Sequence, residues 1–265
     1  MMIYYTDNKF NSFTQNPYRN NLTYDNSWSL IQLLDNAEFT SYTGNNGNGI
    51  FSLILTKQLP QWKYCVMDFI EYEKFHNKNI IVAVDSEDLE AAQKAYVGHC
   101  CMDRFIRNYE GDILVHTTTP IAFKEIIKSG YLKSWNALKM HDDNIKPIGS
   151  QLGDPIDYSD YIMFNNGGYC SELVVASKEK GYIDMDIHAK YTPGGRFYFD
   201  AKKIATDGLL TRDGAHLKVR DSLEIKKYLL WTATSEIVGL PDETTPFEFG
   251  TKSDEMFERK FGMKL

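Results

Sequence analysis

The stretch that decides the fold is Leu114-Val115-His116-Thr117-Thr118-Thr119-Pro120-Ile121-Ala122-Phe123, continuing to Ile126-Ile127-Lys128-Ser129-Gly130-Tyr131-Leu132. Its first part is apolar and ends in hydroxyl residues, which predicts a strand over 112–119. Pro120 suits the first position of a helix, where its missing N–H has no intrahelical partner to lose. Ala122, Ile126 and Ile127 recur at helical spacing, and Ser129-Gly130 stops the helix. This strand-into-helix turn sets His116 near a helix start, whose unpaired N–H groups suit an anion or a polar ligand edge. Taken alone, a histidine at a strand end is equally explained as a half-buried residue satisfied by one backbone bond.

Working outward, Tyr158–Phe164 reads as a strand, Asn165-Asn166-Gly167-Gly168 as a turn and Ser171–Lys180 as a helix. Gly195–Asp200 is a further strand. Leu209–Arg212 and Ala215–Val219 form a hairpin about Asp213-Gly214, Leu223–Trp231 is read as helical, and Thr232–Leu240 as a closing strand. Upstream, Ile3–Tyr5 is a short strand. Asp25-Asn26-Ser27 offers N-cap chemistry for a helix carrying Trp28, Ile31, Leu34 and Ala37, and Ile50–Phe75 reads as two helices meeting at Pro60. Asn79–Val84 is a buried strand, followed by a helix from about Glu87 to Tyr96 and another towards Tyr109. Residues 1–110 are therefore expected to be α-rich and residues 111–265 to form a second, β-rich domain.

Composition narrows the function. The 265 residues carry 36 acids against 29 bases, a net charge of −7, which argues against a general nucleic-acid coat. No apolar run approaches the length of a membrane span, and the N-terminal residues do not read as a signal peptide. Cys65, Cys100, Cys101 and Cys170 form no C-x-x-C pair, so a reduced, cytoplasmic protein is expected, with no membrane partner. His99-Cys100-Cys101 lacks a second ligand pair and Asp142-Asp143 lacks calcium-loop spacing, so no metal is expected. Asn-Gly-rich residues 44–49 lack the flanks of a phosphate loop.

Residues 114–132 resemble the opening motif of the ADP-ribosyltransferase superfamily, in which a strand ends in His, Thr or Ser follows, and a helix ends near a glycine. Tyr161-Ile162-Met163-Phe164, with the turn and helix after it, is similar to the superfamily's strand that sets an aromatic ring against nicotinamide. Thr234-Ser235-Glu236-Ile237-Val238 is similar to the late strand that presents a catalytic Glu. The order His116, Tyr161, Glu236 is the family's order, and the resemblance covers residues 112–240. Poly-ADP-ribose polymerases, DarT-type toxins of bacteria and phage, and RNA 2′-phosphotransferases share this shape. The resemblance departs at Thr117, where many members have Gly, whose backbone holds the nicotinamide amide.

The resemblance implies an α+β fold: a split, mostly antiparallel sheet with flanking helices, holding NAD in its cleft and preceded by the α-rich region. It implies transfer of ADP-ribose to a macromolecular acceptor, protein or nucleic acid. Glu236 would stabilise the ribosyl cation, by an attraction of order 4 kcal/mol at roughly 4 Å. His116 would bond the adenosine ribose and Tyr161 would stack on nicotinamide, with Tyr158, Tyr169 and Tyr198 as rivals. Thr117, Thr118 and Tyr169 would line the NAD site, and Arg196, Arg212 and Arg220 are candidates for its diphosphate. Phe197–Ile204 followed by Asp207-Gly208 is similar to the phosphotransferase pattern and keeps that activity open, as does a non-catalytic nucleotide-binding role for the same fold. Lys202, Lys203, Lys218, Lys226 and Lys227 join those arginines either as one basic rim for an anionic acceptor or as a solvated face alternating with acids.

Overall fold

The computed structural model describes residues 1–15, 27–45, 50–98, 111–140, 154–178, 180 and 182–265. The chain divides into two compact units. The first comprises Met1–Cys100, Gly153–Asp157 and Arg212–His216, and the second Cys101–Leu152, Tyr158–Thr211 and Leu217–Leu265. The division lies near the expected boundary at Gly111, but two later segments count with the first unit.

The first unit corrects the expectation of an α-rich region. It is built on strands β1 (Ile3–Thr6), β2 (Trp28–Leu34), β3 (Ser41–Asn45), β4 (Phe51–Thr56) and β5 (Asn79–Ala83), with helices α1 (Trp62–Phe75) and α2 (Ser86–Tyr96). The sheet order is β1-β5-β2-β4-β3; β1, β5, β2 and β4 are parallel, and β3 runs antiparallel on the edge. Residues 28–37 were expected to be helical because Trp28, Ile31 and Leu34 fall at helical spacing. Yet Ile31 and Leu33 pack with Val66, Phe69 and Ile70 of α1, while Trp28 and Leu30 pack with Phe10, Ile50 and Ile81. A strand buried on both faces shows no alternation, so the period of two is hidden. The same reason turns the first of the two helices expected in 50–75 into β4.

The second unit holds strands β6 (Ile113–Thr118), β7 (Tyr131–Lys133), β8 (Tyr161–Phe164), β9 (Gly195–Asp200), β10 (Leu210–Arg212), β11 (Leu217–Arg220), β12 (Ser222–Glu224) and β13 (Leu229–Ala233). The last residue of β10 belongs to the hairpin tip that counts with the first unit. The helices are α3 (Pro120–Ser129), α4 (Trp135–Lys139), α5 (Cys170–Ala176), α6 (Ala201–Thr206), α7 (Ile225–Tyr228), α8 (Ser235–Val238) and α9 (Pro246–Phe261). The sheets are small, in orders β13-β9-β6, β10-β11-β8 and β12-β7, and the pairings β6–β9, β9–β13, β8–β11 and β7–β12 are antiparallel. The fold is thus mixed α and β, with mostly antiparallel sheets in this unit.

Alternation along β6 and β9 feeds two cores. Leu114, Phe197 and Phe199 pack with Phe164 and with Phe123 of α3, whereas Ile113, Val115 and Tyr198 pack against Phe249 and Phe257 of α9. Three details differ from the sequence reading. Residues 223–231 are mostly strand with the single turn of α7, and β13 ends at Ala233 rather than continuing to Leu240. Thr234 accepts the Ile237 N–H and so caps α8 where a strand was expected. Helix α9 was not expected, although Thr245 and Glu248 form a capping box across Pro246. The helix expected near Tyr109, His99-Cys100-Cys101 and Asp142-Asp143 lie outside the described residues.

Candidate functional site

The site is built on the open edge of β6. Val115 exchanges both backbone bonds with Asn165, N to O at 2.8 Å and O to N at 3.0 Å, and this isolated bridge is where β6 meets β8. Backbone groups alternate sides along a strand, so Thr117 faces the same side as Val115. Residues 112 and 118 face β9 instead, since their carbonyls accept the Ala201 and Gly194 N–H groups at 2.9 and 3.0 Å. After Asn165 the chain turns through Gly167 and Gly168, both at positive φ, into α5. Among the described residues, the N–H and C=O of Thr117 therefore lie on the side of β6 where it parts from the chain after β8, the split between the two.

Side chains alternate too, so His116 and Thr117 project from opposite faces of β6. His116 Nδ1 lies 3.0 Å from the Met163 carbonyl. A carbonyl only accepts, so Nδ1 carries the proton and Nε2 presents its lone pair. Burial pushes the His116 pKa down, against the opposing effect of the Met163 carbonyl, and keeps the ring neutral at neutral pH. The ring meets Phe164 edge-on at 5.8 Å.

The face carrying Thr117 holds a buried charge network. Glu172 of α5 accepts the Thr117 hydroxyl, the Tyr191 hydroxyl at 2.5 Å and Arg196 Nη1 at 3.2 Å. Arg196 also donates from Nη2 to both oxygens of Asp254, at 2.8 and 2.9 Å, and to the Gly168 carbonyl at 2.8 Å. Asp254 further accepts Tyr198 Oη–H and the Gly168 N–H, each at 2.7 Å. Arg196 and Glu172 are fully buried. Two carboxylates against one guanidinium leave an excess negative charge, which the three hydroxyl donors disperse. Burial and the neighbouring Glu172 push the Tyr191 phenol well above its ordinary range, so it stays protonated as a donor.

Close packing fixes the other end of the site. Thr119 Oγ1 accepts the Ala122 N–H and caps α3. A Cβ on Gly194 would sit 2.1 Å from the Thr119 carbonyl, and one on Gly195 would sit 2.3 Å from the Phe123 ring. Only glycine lets the start of β9 lie this close to the start of α3.

The structure brings part of the expected set together. His116, Thr117 and Thr118 line one strand, and Arg196 joins Thr117 through Glu172. Arg196, expected at a diphosphate, is instead spent on two carboxylates and has no exposed surface. Arg212 falls in the first unit, buried with Nη2 2.9 Å from Cys65 Sγ and Nε 3.7 Å from Asp68. Tyr161 is buried at the far end of β8, with the Lys218 ammonium 5.3 Å from its ring, and the ring beside His116 is Phe164. Tyr169 precedes α5 and packs edge-on against Phe247 at 5.5 Å. Glu236 is exposed in the first turn of α8, not on a strand.

The basic rim does not form either. Arg196, Arg212 and Lys218 are buried, Lys202 pairs with Asp112 at 2.8 Å, and Lys227 pairs with Asp207 at 2.8 Å. Glu172, Tyr191 and Asp254 were missed. The available signal was a carboxylate on an otherwise apolar helix stripe, as at Asp254 between Gly250 and Phe257.

The first unit has polar features of its own. A cleft of about 730 Å³ lies at the carboxyl ends of β1, β2, β4 and β5, lined by Thr6, Asp7, Asp35, Lys57, Asp85 and Asp88 among others. Lys57 bridges Asp35 at 2.8 Å and Asp88 at 2.6 Å, and those two bonds raise its pKa. Glu87 and Asp88 lie in the first turn of α2, where the helix dipole favours acids. At the amino ends of β2 and β5, Glu73 of α1 accepts the Ser29 hydroxyl at 3.0 Å and lies 3.7 Å from the Lys78 ammonium, which is closer, at 2.7 Å, to Asp157. Burial pushes the Glu73 carboxyl up to about 7; Lys78 opposes this and Asp157 and Asp213 reinforce it. At Asp157 burial also pushes upward, but Lys78 and the Tyr72 hydroxyl outweigh it and hold the group below its ordinary range.

Among the described residues no three His, Cys, Asp or Glu side chains converge to hold a metal ion. No described helix is long and apolar enough to cross a membrane. No protein-family model matches the chain, and no curated protein or solved structure is significantly similar to it.

Proposed function

We propose that the second unit binds NAD at the open edge of β6 and acts as a cytoplasmic ADP-ribosyltransferase. One observation carries the reading: the Thr117 N–H and C=O face the split beside the neutral His116. A carboxamide offers one acceptor and one donor, so nicotinamide complements a peptide's N–H and C=O at two points. His116 Nε2 accepts a ribose hydroxyl. A side chain in place of the family's glycine at 117 is accommodated, because that side chain turns away from the split to Glu172. In the reaction the bond from ribose C1′ to the nicotinamide nitrogen breaks and its electron pair leaves with nicotinamide. A nucleophile on a macromolecular acceptor, protein or nucleic acid, then bonds C1′ and loses its proton.

A second reading is a nucleotide-binding protein without turnover, and the exposed position of Glu236 on α8 favours it. The phosphotransferase reading loses support, because Asp207 is taken up by Lys227 at 2.8 Å and Tyr228 at 2.7 Å. Incubation with NAD, followed by mass spectrometry for nicotinamide and calorimetry for binding, separates the first two. Release that falls about a hundredfold in Glu236→Gln supports catalysis through that carboxylate. Binding without release supports the second reading, and absence of both overturns the NAD assignment.

A further inference from the structure

We propose that Glu172 is a positioning residue for the β6 edge: by holding the Thr117 hydroxyl it fixes the peptide N–H and C=O that face the split. This rests on the reading that the edge receives the carboxamide of NAD. The need follows from topology. Among the described residues, the strand beyond Val115 is paired on one side only, by β9, and its last residue turns directly into α3. A strand end held on one side frays more readily than one held on two. The Thr117 side chain supplies the missing restraint from the opposite face to His116.

That restraint is anchored by buried, hydrogen-bonded partners. Glu172 is fully buried and gripped by Tyr191 at 2.5 Å and Arg196 at 3.2 Å. Arg196 is locked in turn to Asp254 of α9, and Asp254 to the Gly168 N–H in the turn that forms the other wall of the split. One carboxylate thus ties the ligand-facing peptide to α5, β9, α9 and the 165–168 turn. The chain of contacts reaches Thr117 but not His116, so it orients the edge without supplying a reacting group.

The test is a set of variants at both ends of the link. Thr117→Val keeps shape and β-branching but removes the hydroxyl; Thr117→Ser restores it. Glu172→Met removes the acceptor that the Thr117 hydroxyl meets. For Thr117→Val and Glu172→Met alike the KM for NAD is expected to rise about tenfold with kcat within about twofold of wild type, and Thr117→Ser to restore the wild-type KM. If the wild type binds without turnover, the Kd by calorimetry is read in place of KM. Unchanged NAD affinity in Thr117→Val overturns the proposal.

A second measurement does not depend on NAD. Amide hydrogen exchange at His116 and Thr118, whose N–H groups face β9, is expected to speed up about tenfold in Thr117→Val and not in Thr117→Ser. Unchanged exchange overturns the positioning role whatever the ligand does. Absence of NAD binding in wild type, with exchange altered as expected, removes the ligand assignment and leaves the fixed edge standing.

Discussion

Replacing Glu73 by Gln should change how stability depends on pH more than it changes stability itself. Glu73 is 1% exposed, and its carboxyl feels Asp157 and Asp213 against the ammonium of Lys78. Its folded-state pKa is about 7, against 4.5 for the free side chain. As pH rises between those values the unfolded chain ionises while the folded one keeps its proton. The folded state then binds more protons, so stability falls with rising pH. The contribution is fully present below about pH 4.5 and is lost by a little above pH 7. At about 1.4 kcal/mol per unit the full loss is about 3 kcal/mol, an upper figure because water penetration softens buried charges. The assay is urea unfolding at intervals from pH 4.5 to 8.5 in wild type and Glu73→Gln, with the difference taken at each pH so that other titrations cancel. Wild type is expected to lose about 2–3 kcal/mol relative to the variant across that range. Curves that stay parallel within about 0.5 kcal/mol, or diverge in the opposite sense, would refute the account of a neutral buried carboxyl.

Asp157 carries the opposite sign: its depressed pKa gives stability present above its unfolded value and lost as pH falls through the folded one, so Asp157→Asn should flatten the acid limb of the same titration. Gly194→Ala drives a Cβ to 2.1 Å from the Thr119 carbonyl, and a loss of about 3 kcal/mol, read as a Tm lower by roughly 10 °C, is expected. Arg196→Met strands Glu172 and Asp254 without their cation and should cost about 3–5 kcal/mol, measured by denaturant unfolding. Thr245→Ala removes the cap of α9 and should cost about 1 kcal/mol in the same assay.

The parts of the fold legible in the sequence are those where a strand or helix announces its own ends. β6 and α3 were read nearly to the residue because Pro120 and Gly130 mark the helix and hydroxyl residues end the strand. β9 and the hairpin about Gly214 were equally clear. What failed was periodicity in β2 and β4, which are buried on both sides and therefore carry no polar stripe. Glu236 misled for a related reason: Ala233, Ile237 and Val238 look like strand neighbours, yet Thr234 ends β13 by capping a helix. Among candidate site residues, His116 and Thr117 were found because a local motif carries them. Glu172, Tyr191 and Asp254 come from separate segments, and no local pattern links a carboxylate on α5 to a guanidinium on β9.

The three-part make-up of the first unit has a consequence for the order in which the chain is completed. Its sheet and helices are all present once residue 100 has been made, but Asp157 and Arg212–His216 are not. At 5–20 residues per second the 116 residues from 100 to 216 take roughly 6–23 s to synthesise. Lys78 lacks Asp157 until residue 157 is made, and Asp68 lacks Arg212 until residue 212 is made. The unit that begins first is the one closed late, and a nascent chain halted at residue 150 should hold its sheet while its charged interior stands incomplete and open to proteolysis.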